Sequence, residues 1–134
     1  MKMESKLADR PMKIREIVDI INAELLTQPS HMDRQILSVC GADLMSDVLA
    51  FTKANTLLLT GLTSIQVVRT AGVMDLAGIV FVRGKRPSAD VIEMANTEDL
   101  PLLVTRYPLY ETCGKLYRCG LKGCSELDSG GRAG

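Results

Sequence analysis

The sequence predicts an α/β domain: a parallel sheet with helices on both faces. Two observations carry that prediction. Three continuous apolar runs, around residues 56–61, 77–84 and 100–105, alternate with amphipathic stretches of helical length. Strands that are apolar on both faces belong to parallel sheets that helices cover from both sides. A third observation sets the scale. The chain has 134 residues, of which 46% are hydrophobic and 24% charged, an ordinary globular mix in one domain that needs no disulfide or metal staple.

Each element follows from local signals. Residues 1–10, MKMESKLADR, are polar and read as a flexible lead-in, not a signal peptide, because no apolar core segment follows. Pro11 is placed to open a helix whose apolar face is Ile14, Ile17, Val18 and Ile21. Residues 23–27 form a short strand that Gln28-Pro29-Ser30 breaks. Residues 36–40 form another strand. Ser46-Asp47 is a helix-capping pair ahead of a short helix over 46–53, although Val48 to Phe51 suits a strand equally well. From residue 56 to 120 the chain reads βαβαβα. Strand 56–61 precedes a helix over 64–75 capped by Ser64. Strand 77–84 precedes a helix capped by Ser88, with Val91, Ile92 and Ala95 inward. Strand 100–105 precedes a helix from Pro108 to Gly120, whose glycine ends it. Residues 11–122 therefore form one domain, and 123–134, with Ser-Gly-Gly-Arg-Ala-Gly, a disordered tail.

Charge excludes some partners. Lys+Arg and Asp+Glu are both 16, and the halves are balanced: 7 basic against 8 acidic residues over 1–67, then 9 against 8. A nucleic-acid binder shows a basic excess, and with no Trp, three Tyr and two Phe there is little material for base stacking along a strand. Apolar runs such as Leu57–Leu59 are too short to span a bilayer. The expected setting is cytoplasmic, with no nucleic acid and no membrane, and with the four cysteines reduced.

Motifs narrow the chemistry. Neither GxxxxGK[ST] nor GxGxxG occurs, so no loop of backbone amides with its lysine holds a transferring phosphoryl group. The chain is not expected to be a kinase on its own, nor an enzyme, and no cofactor is expected. In open parallel sheets ligands bind beyond the carboxyl ends of the strands. There stand Thr60, Gly61, Thr63 and Ser64, then Arg83, Gly84, Lys85 and Arg86. A helix start and several cations suit a small anion or nucleotide, ideally where the Gly61 loop meets the Arg83 loop; a solvated basic turn explains the same residues.

Cys113, Cys119 and Cys124 are spaced C-x5-C-x4-C, unlike zinc pairs or iron–sulfur runs. Cys119 is rotated about 240° from Cys113 around a helix, so the two do not share a ligand face. No metal is expected; these three cysteines are the metal or iron–sulfur alternative. His31 reads as a solvated loop residue. Asp33, Arg34, Asp43 and Asp47 read as structural, Asp33 fixing a turn and Arg34 bridging to a carboxylate of another element or subunit.

Residues 31–49, from His31-Met32-Asp33-Arg34 through Gly41-Ala42-Asp43 to Leu49, resemble the DRTGG domain family. The segments Thr60-Gly61, Ile79 to Pro87 and Thr112 to Tyr117 are similar to its free-standing bacterial and archaeal members, which are often encoded near iron-only hydrogenases. The resemblance spans about residues 12–121. Asp33-Arg34 fits the start of the eponymous motif, and Ser38-Val39-Cys40-Gly41 replaces its threonine and paired glycines. It implies a fold similar to the N-terminal domains of HPr kinase/phosphorylase and the Mur ligases. It also implies a regulatory and dimerising module like those beside phosphotransacetylase or between the CBS domains of a regulated pyrophosphatase. No catalytic residues carry over.

The function expected is a non-catalytic regulatory or assembly module that homo-oligomerises, as a two-fold dimer, and takes a small anionic or nucleotide ligand or a protein partner. Met32, Leu44, Met45, Leu49 and Phe51 supply its apolar contact. The alternatives are a metal or iron–sulfur accessory protein linked to hydrogenase systems, and a small enzyme of unknown reaction.

Overall fold

Unbroken burial along the apolar runs decides how the chain layers. The computed structural model describes residues 11–51 and 54–124. Short strands β1 (Met12–Lys13) and β2 (Glu24–Leu25) flank helix α1 (Ile14–Ile20). A 3-10 turn, Pro29–Asp33, leads into β3 (Gln35–Ile36) and β4 (Ser38–Gly41). Then follow α2 (Met45–Phe51), β5 (Thr56–Thr60), α3 (Ile65–Val73), β6 (Gly78–Phe81), α4 (Ala89–Thr97), β7 (Leu102–Val104), α5 (Leu109–Arg118) and β8 (Lys122–Gly123).

One sheet has the order β2-β7-β6-β5-β4-β8, and a separate ribbon pairs β1 with β3. From β7 to β8 all pairs are parallel; β2 runs antiparallel to β7. The side-chain period of two splits each parallel strand between two cores. Leu58, Ile79, Phe81 and Leu102 meet Val48, Val67, Val68, Val91 and Ala95 of α2, α3 and α4. Leu57, Leu59, Val80 and Leu103 meet Ile14 and Ile17 of α1 and Leu116 of α5. The chain steps from β4 to β7 with three helices on one face. It returns across the other face through α5 to the far edge, as crossovers of one hand require.

The expected α/β fold with both faces covered stands, and the regular half matches element by element. The first third differs. The chain runs β1 before its first helix, since Pro11 precedes a strand. The expected strand 36–40 divides at Leu37 between two sheets. The ordered chain also extends past residue 122: β8 pairs with β4 and Cys124 is buried, because the edge of β4 offers an open ladder. The expected lead-in 1–10, the rest of the tail, 125–134, and residues 52–53 of the helix over 46–53 lie outside the described residues. Of the apolar contact residues, Met32 and Met45 each pack partly against a core and Leu44 is exposed; the side chains of Leu49 and Phe51 lie outside those described.

Candidate functional site

Parallel strands deliver their carboxyl ends to one rim of the sheet, and antiparallel β2 begins there. Along this rim lie residues 22–24, the loops after β7 and β6, the loop after β5, and the loop after β4.

The loop after β5 is tied to the loop after β4. Asp43 Oδ1 accepts hydrogen bonds from Thr60 Oγ1 (2.9 Å) and the Gly61 amide (2.8 Å), and Thr60 Oγ1 accepts from the Leu62 amide. A carboxylate thus occupies the amide that an incoming anion would use. Ser64 stands at the start of α3 in extended conformation, without a side-chain bond to the helix. Asp47 sits in the first turn of α2.

The loop after β6 turns the other way. Arg83 (φ +59°) and Gly84 (φ +68°) are both left-handed, a conformation that glycine takes freely and arginine does not. Their amides donate to the carbonyls of Tyr107 (2.9 Å) and Thr105 (2.8 Å), which draws the loop toward β7. Arg86 then reaches past β7 to β2, where Nη1 and Nη2 donate to Glu24 Oε1 (2.9 Å) and Oε2 (3.3 Å). This pairing holds the Glu24 carboxyl below its ordinary range, first through the hydrogen bond and then through charge. The structure therefore separates the two loops expected to converge. Thr60 and Gly61 stay with Asp43, whereas Gly84 and Arg86 open onto a cleft of about 440 Å³ with Asn22, Glu24, Thr105 and Arg106. Two guanidinium groups face one carboxylate there, and Arg83 and Lys85 are exposed on the same loop.

The motif residues Asp33 and Arg34 lie at the opposite rim. Arg15 Nη2 donates to Asp33 Oδ1 (2.8 Å), and this hydrogen bond, followed by charge, lowers the Asp33 pKa. Arg34 Nη2 donates to the carbonyl and to Oδ2 of Asp99, both at 3.1 Å. His31, expected in solvent, is only 2% exposed, because the 3-10 turn folds it inward. Its Nδ1 shares a hydrogen bond with Thr27 Oγ1 (2.8 Å) and its Nε2 with Asp99 Oδ1 (2.8 Å). Sequence reasoning missed Asp99, which lies 68 positions from His31. The one local signal was its place two residues after the end of α4, which closes in Asn96-Thr97 with Glu98 as its cap.

The cysteines do not assemble as a trio. Cys119 caps the C-terminus of α5 and is exposed, while Cys113 sits in α5 against Gly41. Cys40 neighbours Cys124 across β4 and β8. Burial, aided by Cys124, pushes the Cys40 thiol up to about 12, and burial also raises Cys113. Among the described residues no group of three or more His, Cys, Asp or Glu is arranged to hold a metal ion, and no helix is long and apolar enough to cross a membrane.

Comparison with known proteins adds three findings. A family profile described as DRTGG domain matches residues 16–119. No curated protein matches the chain. Among solved structures, the chain is similar to the CBS and DRTGG domains of the regulatory region of Clostridium perfringens pyrophosphatase, complexed with the activator diadenosine tetraphosphate. The TM-score is 0.68 at 15% identity, over 85% of this chain and 48% of that one. The chain thus spans about half the length of that structure, and the likeness shows the fold.

Proposed function

This chain belongs to the DRTGG domain family, and on that premise we propose that it is a non-catalytic regulatory module that forms a homodimer and binds a small anionic ligand of nucleotide or polyphosphate type. The observation that carries the reading is the cleft at the strand ends, where Arg86 and Arg106 outnumber Glu24 and Arg83 and Lys85 stand on the bordering loop. Guanidinium forks suit phosphate oxygens, and the site lies where open parallel sheets hold ligands. The similar pyrophosphatase region was solved with a nucleotide activator, which supports the reading by analogy of fold. The absence of a phosphate-holding glycine loop from the sequence supports a binding role over phosphoryl transfer. The dimer draws support from Leu37 and Leu44, both exposed, flanking the edge where β4 meets β8. The relatives near hydrogenases supply the candidate setting for a protein partner.

The test is a thermal-shift screen with inorganic pyrophosphate, ATP and diadenosine tetraphosphate. A ligand at 100 times its Kd stabilises by about 2.7 kcal/mol. Replacing Arg83 and Arg86 together by Gln should abolish the shift and leave the fold intact, because both side chains are solvent-facing. No shift with any of the three, or a shift unchanged in the double variant, rejects the site. Light scattering that returns one 14.6 kDa particle at micromolar concentration rejects the dimer.

A further inference from the structure

At the opposite edge of the sheet from that cleft, α5 and the β4–β8 pair border a second, open one of about 340 Å³. Gly41, Gly114 and Gly123 are among its walls, with Tyr110 and Tyr117 on α5 and Cys113 between them. No charged side chain is among its lining residues, and Lys115 of the same helix is engaged elsewhere, 4.7 Å over the ring of Tyr107.

Two features of this cleft bear on a ligand. The first is Gly114. Glycine inside a helix is less stable than alanine, yet a Cβ here would meet nothing within 4 Å. Gly41 is different: its Cβ would fall 3.0 Å from Cys113 Sγ, so close approach of α5 to β4 demands glycine there. The second is the tyrosines. Tyr110 and Tyr117 are seven residues apart, on the helical face that also carries Gly114. They keep 87% and 60% of their surface in solvent. The missing side chain at 114 leaves a gap between two aromatic rings above an apolar, glycine-lined floor.

We propose that the Tyr110–Gly114–Tyr117 cleft binds a flat, uncharged fused ring the size of a purine. Aromatic rings attract such a ring by stacking or edge contact at centroid distances of about 4.5–7 Å. The volume lies at the small end of ligand pockets and is enough for a fused ring. The uncharged lining gives a charged group nothing to pair with. The site shares no residue with the strand-end cleft, so it stands or falls independently of the anion reading.

The experiment follows the tyrosine ring protons by NMR, which is tractable because the chain has three Tyr, two Phe and no Trp. Adenosine and riboflavin are the two probes, and ribose is the control without a ring. Adenosine should shift Tyr110 and Tyr117 saturably and leave Tyr107 unmoved; tighter binding by riboflavin would assign the larger ring. Gly114→Leu should weaken binding by at least about tenfold and melt no lower than the parent, since it fills open space. Tyr110→Ala is a second variant, at a position too exposed to disturb the core. The Arg83→Gln/Arg86→Gln double variant should bind adenosine as the parent does. Absence of saturable shifts with both probes up to about 1 mM overturns the proposal. So does binding that Gly114→Leu and Tyr110→Ala leave unchanged. So does a parent dimer that Gly114→Leu dissociates while neither probe binds, which would make the cleft a contact between copies.

Discussion

Asp99 offers a sharp separation of backbone from side-chain energetics in this fold. It follows α4 at φ +57°, and its carboxylate accepts from Arg34 and Gln28 and shares a hydrogen bond with buried His31. Asp99→Ala removes the carboxylate and keeps a left-handed backbone that costs a non-glycine residue about 1 kcal/mol. Losing a partner of a buried imidazole costs about 1–3 kcal/mol. Because Asp99 is 68% exposed and water can replace it, the lower end applies. The left-handed backbone is common to aspartate and alanine and cancels between them, so the alanine variant should lose about 1 kcal/mol. Asp99→Gly relieves the backbone and should lose about 1 kcal/mol less than alanine. Asp99→Asn keeps an acceptor and tolerates the left-handed region, so its loss should be about 0.5 kcal/mol. Urea unfolding with a shared slope reads all three. The reasoning fails if glycine is as destabilising as alanine, or if asparagine is. The cluster also predicts a pH dependence. The hydrogen bond from His31, then the charge of Arg34, lowers the Asp99 pKa, so the folded carboxyl is more acidic than the unfolded one. Its stabilisation is complete above the ordinary aspartate pKa, 3.8, and is lost as pH falls through the folded value. Asp99→Asn should flatten that acid limb.

Three further outcomes are expected. Alkylation of the native protein with iodoacetamide at mildly alkaline pH should label exposed Cys119 first and spare Cys40, whose thiol is pushed up to about 12; equal labelling by peptide mapping would contradict the burial argument. Asp43→Ala strips the acceptor from Thr60 Oγ1 and the Gly61 amide and should cost about 1–2 kcal/mol in urea unfolding; an unchanged midpoint would mean that the two loops are not coupled. Glu24→Gln should leave the melting temperature nearly unchanged, since the pair with Arg86 is solvent-exposed, but should tighten anion binding by removing a carboxylate from the cleft. By the same logic, pyrophosphate affinity should rise as pH drops through the lowered Glu24 pKa, below its ordinary 4.5, because protonation frees Arg86; isothermal titration that shows weaker binding there would reject Arg86 as an anchor.

The sequence by itself determined the parallel sheet, its two covered faces and the absence of a phosphate loop. Burial on both faces of a strand writes a continuous apolar run, and a helix lying on it writes a 3.6-residue period. Residues 56–60, 78–81 and 102–104 carry the first signal and α3, α4 and α5 the second, all within windows of about ten residues. The family could be read from 31–49 because its motif residues are neighbours in sequence, although Asp33 and Arg34 find their partners elsewhere, at Arg15 and Asp99. Tertiary structure alone decided the rest. Strands of two residues, β1, β2, β3 and β8, are too short to show a period and exist only because a neighbouring edge accepts their hydrogen bonds. His31 is buried by a turn whose acceptor lies 68 residues on, and Arg86 leaves Ser64 for a glutamate 62 residues back. Even the tyrosine cleft needs three separate segments, β4, α5 and β8. A chain can spell out periodicity locally, but a site assembled from distant segments becomes visible only when the fold has set their distances.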